Sequence, residues 1–262
     1  MDRRDRRPQL GRDPRDGDAE ASLIYGVHPV TECLENRPGE VERVFVQRGG
    51  GGRLGRVLRA ARDYGIPVSH LPAEVLSRKV GRNARHQGVA AQVAPLAYRT
   101  VEEVLAAAGP AGIVILCDGV EDAGNLGAIL RSAVGAGVRG VILAADGTAG
   151  LSAGAVRASA GAALRIPVAR VGRPAALVRK WVASGGRAVL LDPRGDLAWD
   201  RADLTGRLLV VAGGEARGVR HGVAVECNPK IAIPLIEIES LNVASAVSVL
   251  LFEAVRQRRT TP

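Results

Sequence analysis

The chain is poor in the residues that build cross-linked or metal-centred proteins. Its three cysteines, Cys33, Cys117 and Cys227, stand at spacings that match neither a disulfide framework nor a zinc site, so reduced thiols are expected. His28, His70, His86 and His221 are scattered too, with no His-x-x-x-His or carboxylate cluster, and no metal is expected. Long apolar runs are missing: Ile113-Val-Ile-Leu-Cys117 and Leu208-Leu-Val-Val-Ala212 are far too short to span a bilayer. The Arg/Asp-rich start lacks the apolar core of a secretory signal. Membrane proteins and disulfide scaffolds are thereby excluded, and a cytoplasmic protein is expected. Lysine is scarce as well, occurring only at 79, 180 and 230, so arginine carries the positive charge.

What is present is enough for a full core. The 262 residues are 47% hydrophobic and 24% charged, which suits one large and one small domain. Net charge is +9, and its placement is more informative than its total. Residues 1–21 hold six Arg and six acidic residues and are neutral; residues 22–98 carry net +5, and the twice-longer remainder only +4. The denser positive charge on the smaller segment fits a grip on phosphate backbone, although a general preference for arginine would look similar.

Residues 1–21 lack apolar periodicity and are expected to be a disordered tail. From Leu23 the pattern alternates: a helix over 28–34, a strand over 41–46, a helix over 53–64, a strand over 66–70, a short helix over 75–80, and a closing strand over 88–93. This makes 22–94 a small α/β sandwich. Residues 95–111 form a linker, beginning with Pro95 to Arg99, and a lead-in helix; 112–262 restart with longer elements. Strands are expected at 113–117, 140–144, 187–191, 208–213 and 230–235, and helices at 125–136, 152–161, 174–183 and 242–258. Uniformly apolar strands alternating with amphipathic helices imply a mainly parallel sheet with helices on both faces, whose ligands bind at the carboxyl ends of strands.

Three segments can carry chemistry there. In Leu116-Cys-Asp-Gly-Val-Glu-Asp-Ala-Gly-Asn-Leu-Gly-Ala-Ile-Leu-Arg131 a strand runs into a polar loop, Asn125 is placed to cap the next helix, and Arg131 follows within two turns. The plainer reading makes Asn125 only a cap and Arg131 only a surface charge. In Val210-Val-Ala-Gly213-Gly-Glu215-Ala-Arg-Gly218, glycines after a buried strand let backbone approach a ligand and Glu215 adds a carboxylate; a tight turn would read the same. In Ile233-Pro-Leu-Ile-Glu-Ile-Glu-Ser-Leu-Asn242 a strand enters the last helix through Ser240 or Asn242, either of which could simply cap it. Together, the three place glycine and short polar side chains at helix starts of one α/β domain.

In order and spacing these segments resemble the three motifs of SpoU-type (TrmH-like) RNA ribose 2′-O-methyltransferases of the SPOUT superfamily, supported by Val156-Arg-Ala-Ser-Ala-Gly161 and Leu251-Phe-Glu-Ala-Val-Arg-Gln-Arg258. Tyr25-Gly-Val-His-Pro-Val30 and His86-Gln-Gly-Val-Ala90 resemble the branch whose N-terminal RNA-binding module serves modification of a guanosine in 23S ribosomal RNA. The resemblance implies a deep trefoil knot in the C-terminal domain, S-adenosyl-L-methionine as cofactor, a homodimer, and ribosomal RNA as partner. It assigns Gly213, Ile233, Leu235 and Leu241 to the cofactor pocket, and Asn125, Arg131, Glu215, Ser240 and Asn242 to the catalytic and ribose-binding edge. Because arginine is almost never deprotonated, the role expected for Arg131 is to lower the pKa of the ribose hydroxyl and stabilise the developing alkoxide. Competing expectations are a tRNA or resistance-type rRNA methyltransferase and a non-catalytic RNA-binding protein. The chain departs from the family pattern at Ala123, where proline is common, at Ala244-Ser245, and at Ile236-Glu-Ile238, which replaces a glycine-containing stretch and is one residue short. The last departure bears on cofactor affinity.

Overall fold

The computed structural model describes residues 22–50, 52–81, 83–94, 96–215 and 217–260. The tail expected at 1–21 lies outside the described residues.

The N-terminal unit runs β1 (Ser22–Tyr25), α1 (Val27–Asn36), β2 (Val41–Gln47), α2 (Gly55–Asp63), β3 (Val68–Leu71), α3 (Ala73–Val80) and β4 (Val89–Val93). Its sheet has the order β1-β4-β2-β3, with β4 antiparallel to both neighbours and β2 parallel to β3. Alternation along β2 sends Val44 and Val46 to one face, where α1 and α2 bring Val30, Cys33, Leu34, Val57 and Ala61. Phe45 points to the other face and meets Leu76 of α3. This is the expected small α/β sandwich, with β1 as an added edge strand.

The C-terminal unit follows as α4 (Val101–Ala108), β5 (Ile113–Asp118), α5 (Ala123–Gly135), β6 (Gly140–Ala144), α6 (Ala153–Ala158), β7 (Val168–Val171), α7 (Pro174–Ala183), β8 (Arg187–Leu191), β9 (Leu197–Ala198), β10 (Leu208–Gly213), α8 (His221–Ala224), β11 (Lys230–Ala232) and α9 (Val243–Thr260). A seven-stranded sheet of order β7-β6-β5-β10-β8-β11-β9 pairs in parallel throughout. On one face α5 and α9 bury Leu126, Ile129, Leu130, Val247, Leu250 and Leu251 against Ile115 and Val210. On the other, α4 and α7 bury Val104, Leu177, Val178 and Trp181 against Leu116 and Val211. Strands covered on both sides must be apolar at every position, which is why β5, β6 and β10 read as continuous hydrophobic runs.

Two expectations about the large sheet need correction. The strand expected over 230–235 ends at Ala232, because Pro234 has no N–H to give a ladder, and the chain leaves the sheet there. The sheet also gains β7 and β9, short strands outside the expected set. The stretch taken as linker is tied to the large unit at its end: the Arg99 N–H donates to Val168 O at 2.8 Å and Tyr98 Oη accepts from the Leu151 N–H at 2.8 Å. A Thr100–Glu103 capping box then starts α4.

The last turn of α9 is clasped to the loops that enter the sheet. Gln257 accepts from the Leu204 N–H and donates to Ala202 O, each at 2.8 Å. Arg258 donates to the carbonyls of Leu204 (3.1 Å), Gly206 (2.6 Å) and Ala111. Arg258→Ala therefore removes three charge-assisted hydrogen bonds at once and should lower stability by about 2–3 kcal/mol in chemical denaturation. An unchanged midpoint would show that the clasp contributes nothing to holding the helix.

Candidate functional site

The carboxyl ends of β5, β10, β8 and β11 lie side by side, at the place where the chain order turns from β5-β6-β7 on one side to β8 and β11 on the other. Crevices form at such switch points because adjoining loops leave in opposite directions. The loops here are interlocked. A Cβ on Gly214 would lie 1.8 Å from Gly119 O, and one on Gly213 would lie 2.4 Å from the Gly218 carbonyl carbon, so both positions admit only glycine. Asp118, the last residue of β5 and 1% exposed, anchors the far side of the β10 loop. Its carboxylate accepts from the Arg220 backbone N–H at 2.9 Å and from Arg220 Nε at 2.8 Å. Thr148, after β6, accepts from the Gly119 N–H at 2.9 Å and braces the same corner.

Above this corner three side chains from three loops meet. Asn242 Nδ2 donates to Glu215 Oε1 at 2.7 Å and to Asn125 Oδ1 at 2.9 Å, and Asn125 Nδ2 donates to Glu215 Oε1 at 3.2 Å. Asn242 Oδ1 meanwhile accepts from the Ala244 and Ser245 N–H groups at 2.9 and 3.3 Å, so this residue both caps α9 and faces the cluster. Asn125, expected to cap α5, does not: Asp122 is the cap, accepting from the Asn125 N–H at 2.7 Å. Placed in the first turn rather than before it, the Asn125 side chain is free to reach Glu215. Among the described residues Glu215 Oε2 accepts no hydrogen bond, which leaves one carboxylate oxygen open.

Beside the cluster lies a cavity of about 740 Å³. Leu190, Leu191, Ile233, Leu235, Leu241 and Val243 give it apolar walls, with Gly213 and Gly214 exposing backbone at its floor. All four residues expected to hold the cofactor line it, and so do Glu215 and Ser240. Asn125 and Asn242 stand at its edge through their bonds to Glu215. Arg131 is not brought there: six residues on is about 240° around a helix, so its side chain leaves α5 a third of a turn away from Asn125. It is exposed, with no hydrogen-bond or ion-pair partner among the described residues. The rim is basic, holding Arg194, Arg217, Arg220 and Lys230 against Asp192 and Glu215; Arg220 is committed to Asp118 and Arg194 lies 3.6 Å from Asp192, while Arg217 and Lys230 have no ion-pair partner among the described residues.

Sequence reasoning missed Asp118, Arg220 and this rim. The available signal was an acidic residue closing an otherwise apolar strand, a position too costly for a carboxylate without a partner. Cys117, next to Asp118, is buried, and burial pushes its thiol up to about 12. Among the described residues no three metal-binding side chains gather, and no helix is long and apolar enough to cross a membrane.

The sequence matches the SpoU rRNA Methylase family over residues 112–252 and the RNA 2′-O ribose methyltransferase substrate-binding family over 23–99. It is 40% identical over 240 residues to the 23S rRNA (guanosine-2′-O-)-methyltransferase RlmB of Xanthomonas axonopodis pv. citri, covering 90% of this chain and 96% of that protein. An uncharacterized tRNA/rRNA methyltransferase of Mycobacterium ulcerans is 37% identical, with 97% and 82% covered. Among solved structures, the SpoU methyltransferase AviRb of Streptomyces viridochromogenes in complex with AdoMet superposes with a TM-score of 0.76 at 26% identity, over 91% of this chain and 90% of that one. An AdoMet-bound rRNA methyltransferase of Sinorhizobium meliloti gives 0.74 at 25% identity, over 91% and 88%.

The pairing of buried Asp118 with Arg220, whose side chain is 46% exposed, makes an asymmetric expectation. Arg220→Ala strands the Asp118 carboxylate and should cost about 3 kcal/mol, whereas Asp118→Asn combined with Arg220→Ala should recover most of that loss. Thermal denaturation of both variants checks it; equal losses would mean that the pair is not what holds the β10 loop.

Proposed function

The chain belongs to the SpoU family of RNA methyltransferases, and from that premise we propose that it methylates the ribose 2′-oxygen of a guanosine in 23S ribosomal RNA. The observation that carries this reading is the Asn125–Glu215–Asn242 cluster at the lip of the apolar cavity. S-adenosylmethionine is the family's methyl donor, and the cavity suits it: about 740 Å³, within the range of ligand pockets, with apolar walls for the adenine ring and backbone polar groups at a floor that admits no side chain. Gly213, Ile233, Leu235 and Leu241 would hold it. When bound it supplies an electrophilic methyl group on a sulfonium.

The chain's own residues then have to position the ribose. In-line displacement demands a fixed oxygen, so orientation is the main requirement. Glu215 Oε1 is held by two amides and Oε2 is free to accept a hydrogen bond from the ribose hydroxyl. Asn125 holds the other carboxylate oxygen, and Ser240 lines the same cavity. Arg131, permanently charged, would stabilise the alkoxide as it develops. Arg131 shares an exposed face with Gly135 and with Phe252, which is 51% exposed, and packing a second copy there would surround Arg131 with groups its own chain does not offer. That supports a homodimer. The trefoil knot is supported by the path of 233–242, which leaves β11 beyond β8 and ends in a helix packed on α5 across the sheet.

Two features support an RNA substrate. S-adenosylmethionine is itself a cation, so the unpaired Arg217 and Lys230 on the rim serve an anion other than the donor. On the N-terminal unit, Arg48, Arg53, Arg85 and the glycines at 49, 50 and 88 gather at one end of the sheet, where β1 and β2 finish and β4 begins.

Purified protein given S-adenosylmethionine and unmodified ribosomal RNA should produce alkali-resistant linkages at one guanosine of 23S RNA; absence of transfer to free RNA and to ribosome precursors would sink the reading, and transfer to tRNA or to an adenosine would reassign the substrate. Arg131→Ala should lower turnover about 100-fold or more with cofactor affinity nearly unchanged. Loss of cofactor binding instead would move Arg131 out of catalysis. Separately, Arg217→Ala and Lys230→Ala should each flatten the dependence of log K for RNA on log salt by about one unit. An unaltered slope would mean that neither side chain meets a phosphate.

A further inference from the structure

The two units meet on a surface that neither the cavity nor the cluster explains. Gly161 follows α6 with φ +89°, and a Cβ there would lie 2.7 Å from Glu32 Cβ and 3.5 Å from Pro29 Cα, both on α1. The Arg157 guanidinium of α6 sits 4.3 Å above the ring of Tyr25, the last residue of β1. Arg37 Nε, at the end of α1, donates to Leu164 O at 2.9 Å, and Arg165 Nε lies 3.7 Å from Glu32 Oε2. These contacts are individually modest, but all four join α1 and β1 to the single stretch 157–165.

That stretch is also tied to the site. Gly127 of α5 lies so close to α6 that a Cβ would come within 2.4 Å of Ala158 Cβ, and a Cβ on Gly154 would lie 3.7 Å from Ala123 Cβ, two residues before Asn125. On the other side of the interface, Gln87 Oε1 accepts from the Val27 N–H at 2.9 Å, binding the loop of the arginine- and glycine-rich end to the start of α1. Gln87 adopts φ +52°, a conformation that a non-glycine residue holds only where its surroundings impose it. A continuous path of packed elements thus runs from that loop through α1, 157–165 and α5 to Asn125.

We propose that residues 157–165 are a seat that fixes the N-terminal unit relative to the methyl-transfer site, with Gly161 and Arg157 as positioning residues that determine which ribose reaches Asn125 and Glu215. The inference rests on the reading of the N-terminal unit as the part that holds RNA. Its physical basis is the intolerance of in-line transfer to displacement, where an error of about 1 Å can cost about 100-fold in rate. A unit on a free tether would present several neighbouring riboses; a seated one presents a single one.

The test uses the full chain with Gly161→Val and Arg157→Ala, beside Arg157→Lys and Tyr25→Phe, which keep the cation and the ring. Small-angle scattering should show a larger radius of gyration for the first two only. Their single-turnover methylation should slow by about 10- to 100-fold, with calorimetric affinity for S-adenosylmethionine and binding of 23S RNA fragments within about threefold, and methylation should spread to riboses next to the target. The conservative pair should stay within about threefold of the parent in rate. Unchanged scattering or unchanged rate and selectivity in both disruptive variants overturns the seat. So does a loss confined to cofactor affinity, which would make 157–165 a mere support of the cavity. A parent protein that methylates no RNA would instead overturn the functional reading, and scattering would still decide whether the seat exists.

Discussion

Everything at the carboxyl end of the large sheet depends on how closely the loops after β5 and β10 approach one another. With Gly119 O pressed against Gly214 and Asp118 holding Arg220 from below, neither loop can move without the other. A buried carboxylate is tolerated only when paired, and Asp118 has both a guanidinium and a backbone N–H. Glu215, immediately after the interlocked glycines, inherits that rigidity. So does the cavity, since its floor is the same Gly213-Gly214 backbone. A site that must hold an oxygen in line with a methyl carbon is thus placed on interlocked, closely packed backbone.

The final helix closes the arrangement from the other side. Its first residues are capped by Asn242 Oδ1 while the amide nitrogen of the same side chain binds Glu215 and Asn125. Helix start and ligand edge are thus one residue, and any shift of α9 is felt at Glu215. The clasp of Gln257 and Arg258 at the opposite end guards against such a shift. Between them, Ser248 donates to Ala244 O at 2.7 Å and meets Ser132 of α5 at 2.7 Å, adding a polar register mark within an otherwise apolar contact.

How legible this was in the sequence follows from which physical signals are local. The α7 boundaries, 174–183, could be read because Pro174 sits where a first-turn N–H is not needed and the apolar spacing is regular. Strands β5, β6, β8 and β10 were readable because burial on both faces leaves no polar position. Short strands carry no such run: β7 is Val-Ala-Arg-Val and β9 only Leu197–Ala198, so their pairing depends on neighbours far away in sequence. Asp122 and Asn125 are both good caps, and only the path of the loop decides between them. The cavity walls were found through family resemblance, whereas the Asp118–Arg220 pair, 102 residues apart, left only a faint local trace.

The shortened approach to Asn242 can now be weighed. Ile233 and Leu235, two apart as extended backbone requires, both face the cavity, and Leu241 returns to it. Between them Ile236 is 99% exposed and Ile238 58%, with Glu237 and Glu239 exposed as well. Residues 236–239 thus stand outside the cavity lining, and the departure from the family pattern falls on them rather than on the walls. The cavity lining keeps every apolar group assigned to it, Ile233, Leu235 and Leu241. Residues 236–239 carry instead two exposed isoleucines and two exposed carboxylates, opposite in character to Arg217 and Lys230 of the cavity lining. Under the function proposed above, exposed carboxylates so close in sequence to the walls would act on the approach of a polyanion rather than on the hold of the donor.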